Sequence, residues 1–120
     1  MAPTMRAMND TATVIDQFQA AFLERAPEKL DEIIATDCVM EGVGPAPDGN
    51  VWRGYDECLA GWKEMASEPM MQFEHEGVDV WDDRAIIRWR LTGDQEFRGV
   101  TLMRVRDGRI VEALGYGKRP

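Results

Sequence analysis

The stretch that most restricts the fold runs from Met71 to Gly117, where alternating residues and tight turns follow one another to the end of the chain. Arg84 to Thr92 sets Ala85, Ile87, Trp89 and Leu91 on one side and Arg88, Arg90 and Thr92 on the other. A period of two is the mark of a half-buried strand. Glu96 to Arg106 repeats the pattern, with Phe97, Gly99, Thr101, Met103 and Val105 opposite Arg98, Arg104 and Arg106. Met71 to Trp81 reads as an earlier strand with a bulge near Gly77, because its apolar set moves from Phe73 to Val78 and Val80. Arg109 to Gly117 is the last. Asp82-Asp83 and Gly93-Asp94 are turn pairs, and Asp107-Gly108 is a strong two-residue hairpin signal. Four antiparallel strands with one apolar face need a cover for that face.

The first half of the chain supplies it. Asp10 or Thr11 is placed to cap a helix in which Val14, Ile15, Phe18, Ala21 and Phe22 recur at helical spacing, ending near Ala26. Pro27 suits the first turn of a second, short helix, Glu28 to Ala35, with Leu30, Ile33 and Ile34 on one side. Cys38 to Glu41 is a short apolar strand, and a loop rich in glycine and proline follows. A third helix opens at Gly54 and buries Tyr55, Leu59, Trp62 and Ala66; Asp56 and Glu57 suit its positive end, and Glu68-Pro69 stops it. Met1 to Met8 reads as a loose tail, leaving a single domain over residues 9–118. The class is α+β: three N-terminal helices packed on a curved, mostly antiparallel sheet. The strand-loop-helix stretch Asp37–Met65 is expected to form the rim of a cavity, since glycine and proline let the backbone turn tightly there.

Composition narrows the function classes. With 44% hydrophobic and 30% charged residues the chain is globular. No apolar run approaches the roughly eighteen residues of a spanning helix, and the N-terminus lacks a signal-peptide pattern, so the cytoplasm is expected. A formal charge of −8 disfavours nucleic acid and anionic membranes as partners. Cys38 and Cys58 form no CxxC pattern, and a single histidine argues against a zinc cluster; both thiols read as buried core groups.

His75 is that single histidine. It lies two residues after Phe73 and therefore on the same strand face. If that face lines a pocket, His75 is poised to move a proton near neutral pH; the alternative is a half-buried or outward histidine of structural use. Glu41 is the second candidate, because a carboxylate in an apolar cavity has its pKa raised toward useful values. Strict alternation puts Glu41 opposite Cys38, Met40 and Gly42, and a bulge before the loop would be needed to turn it inward. Tyr55 and Tyr116 could donate a hydrogen bond to a substrate oxygen, or serve as a helix anchor and an outward side chain. Trp52, Trp62, Trp81 and Trp89 resemble core and pocket lining. Arg88, Arg90, Arg98, Arg104 and Arg106 share one sheet face, where Glu74, Glu76 and Glu112 would answer them in cross-strand ion pairs or a dimer interface rather than an anion site. Inward-facing Gly99, Ala113, Gly115 and Gly117 leave room for a ligand.

The segments IIATDCVMEGVGPAPDG, WRGYDECLAGW, DDRAIIRWRLTG and FRGVTLMRVRDGRIVEALGY, in this order and spacing, resemble the nuclear-transport-factor-2-like superfamily. Within it they are similar to the SnoaL-like and ketosteroid-isomerase-like small proteins. The resemblance spans residues 10 to 118. It implies a cone-shaped α+β barrel with one open apolar pocket, often dimeric through the outer sheet, among whose members are isomerases, cyclases, dehydratases, epoxide hydrolases and binding domains. The ketosteroid isomerases' base falls on Gly42, their oxyanion tyrosine on Phe18 and their protonated aspartate on Thr101, so that apparatus is missing. The epoxide hydrolases' last-strand aspartate falls near Gly115. The expectation is proton transfer on a small apolar carbonyl compound, without metal or organic cofactor. His75, Glu41, Tyr55 and Tyr116 are the candidate catalytic groups, and Phe18, Met40, Trp62, Phe73, Trp89, Thr101 and Met103 the candidate lining. The alternative is a non-catalytic ligand-binding or dimeric accessory domain.

Overall fold

The computed structural model describes residues 3–45, 47–68, 71–93 and 96–118. Two α-helices and a six-stranded sheet make up the chain: α1 (Pro3–Leu23), a 3-10 turn (Pro27–Leu30), β1 (Ile34–Glu41), β2 (Val51–Arg53), α2 (Tyr55–Ser67), β3 (Met71–Trp81), β4 (Arg84–Gly93), β5 (Phe97–Arg106) and β6 (Arg109–Lys118). The strand order is β2-β1-β6-β5-β4-β3. β1 runs parallel to β6, and every other pairing is antiparallel. The sheet has two free edges, β2 and β3, so the expected closed barrel is instead an open sheet with α1 and α2 packed over one face.

The second expected helix is absent. Residues 27–30 make one 3-10 turn, and Ile33, Ile34 and Ala35, all buried, lead into β1. Ile33 receives the backbone N–H of Ile110 at 2.7 Å, which starts the parallel pairing with β6. Leu30, Ile33 and Ile34 match a helical stripe, but a strand buried on both faces shows the same short apolar run. The helix stripe of α1 is as expected, with Val14, Ile15, Phe18 and Ala21 buried. Its start is not: the helix takes in residues 3–8, with Pro3 tolerated in the first turn. Thr11 is therefore no cap. It is buried in mid-helix and donates its hydroxyl to the Asp82 carbonyl at 2.8 Å, tying α1 to the β3–β4 turn.

The long strands fall where the alternation puts them. Ala85, Ile87, Trp89 and Leu91 are buried, and the β3 register shifts between His75 and Gly77, the expected bulge. That extra residue, Glu76, keeps Phe73 and His75 on the same face as Val78 and Val80. Asp107 and Gly108 both have positive φ, as a two-residue hairpin between twisted strands requires. Asp94 and Pro69 lie outside the described residues. On the outer face Glu76 pairs with Arg98 and Arg90, Asp79 with Arg88, Asp83 with Arg104 and Asp37 with Arg106. The arginine face is thus an ion-pair lattice, in which Glu76 takes the part expected of it. Among the described residues no helix is long and apolar enough to cross a membrane.

Candidate functional site

Between the helices and the inner sheet face lies an apolar cavity of about 180 Å³. α1 contributes Phe18 and Phe22, one turn apart, and α2 contributes Trp62 and Met65. The sheet supplies Phe73 and His75 from β3, Ile87, Trp89 and Leu91 from β4, Phe97 and Thr101 from β5, and Ala113 and Gly115 from β6. Met40, Glu41, Gly42 and Val43 close the rim where β1 passes into its loop. That loop turns back through hydrogen bonds from Gly42 N–H to Asn50 O (2.9 Å) and from Gly49 N–H to Pro45 O (2.7 Å). Gly49 has φ +79°, and a Cβ there would collide with the Gly42 carbonyl, so this turn admits no other residue type without rearrangement.

A belt of edge-on aromatics forms the wall. Trp62 meets Phe18 at 5.3 Å, Phe22 meets Phe73 at 5.5 Å, and Trp89 meets both Phe73 and Phe97 at 5.7 Å. Such pairs add about 0.5–1.5 kcal/mol each beyond burial and hold one another's orientation. Polar groups are few. The Trp89 indole N–H donates to Thr101 Oγ1 at 2.9 Å. His75 is half-buried, and desolvation holds its pKa below the ordinary histidine value. An imidazole so placed is biased toward its neutral form, in which one ring nitrogen carries a lone pair.

The structure brings together most of the residues singled out in the sequence, and leaves three aside. Phe18, Met40, Trp62, Phe73, His75, Trp89 and Thr101 all line the cavity, with Glu41 at its rim. Tyr55 does not: its hydroxyl donates to the Asp31 carbonyl at 2.7 Å, anchoring α2 to the turn before β1. Tyr116 is 54% exposed on the outer sheet face. Met103 is buried in the core and does not line the cavity. Neither tyrosine can orient a ligand here. Trp52 packs against Gly61 and Gly42, and Trp81 is exposed, so only two of the four tryptophans line the site. Phe22, Ile87, Leu91 and Phe97 were legible as inward positions but not singled out as lining, and Met65 lay off the stripe read for its helix. Gly99 and Gly117 do not enlarge the cavity. A Cβ on Gly99 would meet the Trp89 ring, and one on Gly117 would meet Val43 and Phe97, so these glycines seat neighbouring side chains.

Cys38 and Cys58 are free and buried, and burial pushes both thiols above their ordinary pKa, which suits inert core groups. Among the described residues no three His, Cys, Asp or Glu side chains gather as metal ligands.

Comparison with known proteins places this geometry. The family model of the SnoaL-like domain matches residues 15–113. An NTF2-like protein of unknown function from Mesorhizobium loti is 43% identical over 93% of both chains, with a TM-score of 0.89. A candidate ketosteroid isomerase from Kribbella flavida is 18% identical over 94% of this chain and 81% of its own, with a TM-score of 0.79. An epoxide hydrolase from M. tuberculosis is 18% identical over 92% of this chain and 84% of its own, with a TM-score of 0.73. These last two share the fold alone. No curated protein matches the chain. With the family model spanning most of its length and a relative of 43% identity sharing its fold, the chain belongs to the SnoaL-like family of the NTF2-like superfamily.

Proposed function

We propose that this protein catalyses cofactor-free proton transfer on a small apolar carbonyl compound, with His75 as the base. The observation that carries the reading is a half-buried imidazole, its pKa lowered by desolvation, lining a cavity whose other walls are almost wholly hydrocarbon. His75 shares its strand face with Phe73 and lines the cavity beside it. A proton taken from the carbon beside a carbonyl leaves an enolate and an imidazolium. Returning that proton to another carbon is isomerisation; delivering it to a departing hydroxyl is dehydration. Glu41 at the rim is the nearest second ionisable group to such a substrate, and the names of the fold's relatives, isomerase and hydrolase among them, favour an enzyme. The reading includes a homodimer formed through the outer sheet.

The test needs no knowledge of the natural substrate. Exchange of the methyl protons of acetophenone in D₂O, followed by proton NMR, reports carbon-acid deprotonation directly. The protein should accelerate exchange above buffer, and His75→Gln should lose about a hundredfold of that acceleration. A base works in its neutral form, so the rate should rise with pH through the depressed His75 pKa and level off at lower pH than for an ordinary histidine. Full activity in His75→Gln would end this mechanism. A second reading, a module that binds its ligand and returns it unchanged, is favoured by the scarcity of ionisable lining groups, and it predicts binding with no exchange.

A further inference from the structure

The Thr101 hydroxyl has one hydrogen and two lone pairs, and the Trp89 indole can only donate. Their 2.9 Å bond therefore occupies a lone pair on Thr101 and leaves the hydroxyl hydrogen unassigned. Among the described residues nothing accepts it, and Thr101 is not enclosed by polar neighbours: Ile87 lies directly across on β4. The indole cannot swing away to release the threonine. Phe73 and Phe97 flank it edge-on, and Gly99 lies beneath its six-membered ring. The donor thus points at whatever occupies the cavity, and donation from the indole polarises the O–H and strengthens it.

We infer that Thr101, held by Trp89, is the anchor for a ligand oxygen, and that the cavity takes a compact, single-ring compound bearing one hydrogen-bond-accepting oxygen, as in an aryl or cyclic ketone. The inference rests on the proposed function for where the ligand sits, and deepens it by naming the substrate class. Size agrees: an apolar cavity of about 150 Å³ holds benzene, and this one is about 180 Å³. His75 and Thr101 stand on β3 and β5 with β4 between and two residues out of register, about 12 Å apart across the sheet. A ring fits between them, with its oxygen on Thr101 and its acidic carbon toward His75. Thr101 carries the one hydroxyl among the described side chains that line the cavity.

The experiment compares acetophenone with α-methylstyrene, in which the carbonyl oxygen is replaced by a methylene group of similar shape. Dissociation constants for the full chain, from tryptophan fluorescence, are measured with Thr101→Val and Thr101→Ser. Thr101→Val should weaken acetophenone about fivefold and leave α-methylstyrene within about twofold, the net worth of one hydrogen bond. Thr101→Ser should restore most of the loss. Equal changes for both compounds, or none, would overturn the anchor, and failure of the unmodified protein to hold either compound would overturn the ligand class. A measurement without variants stands beside it: the Trp89 indole N–H resonance should move more on adding acetophenone than α-methylstyrene, and equal movement counts against the anchor. The two readings separate cleanly. Oxygen preference without proton exchange sinks the base and keeps the anchor; His75-dependent exchange with unchanged binding in Thr101→Val does the reverse.

Discussion

A methyl group on Gly99 would stand 2.5 Å from both Trp89 Cζ2 and the Tyr116 carbonyl oxygen. Neither the fixed strand nor a ring flanked by two phenyl groups yields easily. Gly99→Ala should therefore cost about 1–3 kcal/mol in urea unfolding and displace the Trp89 indole resonance; an unchanged spectrum would show that the ring has room. The sequence identified Gly99 as inward and small, but not that a neighbour's indole fills the space, because spacing reports a face and never which side chain leans across it. His75 is the opposite case, since alternation alone put it beside Phe73. Its depressed pKa has a consequence for stability. The unfolded chain titrates near 6.5, and above that pH both states are neutral and the histidine contributes no pH dependence. As pH falls below it, the unfolded state takes up the proton first, and stability is lost until the lower folded pKa is passed. Between about pH 7.5 and pH 5 the wild-type Tm should drop further than that of His75→Gln, the carboxylates being common to both. Parallel curves would mean an imidazole that folding does not desolvate.

Elements were legible where their pattern was long and their turns had a definite chemistry. β3 to β6 were readable nearly to the residue because period two continues through most of each strand and Asp107-Gly108 dictates its hairpin. The bulge was legible too, since only a one-residue insertion keeps Phe73, His75, Val78 and Val80 on one face. Residues 28–35 failed for a physical reason: Ile34 and Ala35, successive residues that point to opposite faces, are both buried at the start of β1, and such a strand carries no alternation to read. β2 was invisible because three residues, two of them exposed, give no period at all. It exists because the loop from Gly42 to Asn50 folds back on β1 and lays Trp52 beside Met40. Glu41 shows where alternation stops deciding. It is paired with Val51 and Leu114 in the sheet, yet the chain leaves the ladder one residue later, at the cavity's rim.

At the scale of the whole molecule, the face opposite the cavity is what remains to be covered. Ile86, Leu102 and Leu114 lie directly across from one another on β4, β5 and β6, with Val100 and Tyr116 in the next outward row. Leu102 is 37% exposed and Tyr116 54%, and the ion pairs of the arginine lattice surround them. An apolar centre with a charged rim is the anatomy of a protein interface. Four strands about 33 Å long and about 4.8 Å apart, with the shorter β1 and β2 beside them, offer on the order of 800 Å², which matches the roughly 800 Å² per partner of a standard interface. A twofold arrangement would set each copy's basic side chains among the other's acids, which a lattice holding both signs permits. Sedimentation should accordingly give twice the 13.6 kDa of the chain. Leu102→Lys puts an unpaired cation at the centre of the patch without touching the cavity, and it should yield the 13.6 kDa species while the His75 resonance keeps its response to acetophenone. If the unaltered protein sediments at the single-chain mass, the outer face is a solvated surface and its arginines serve the sheet alone.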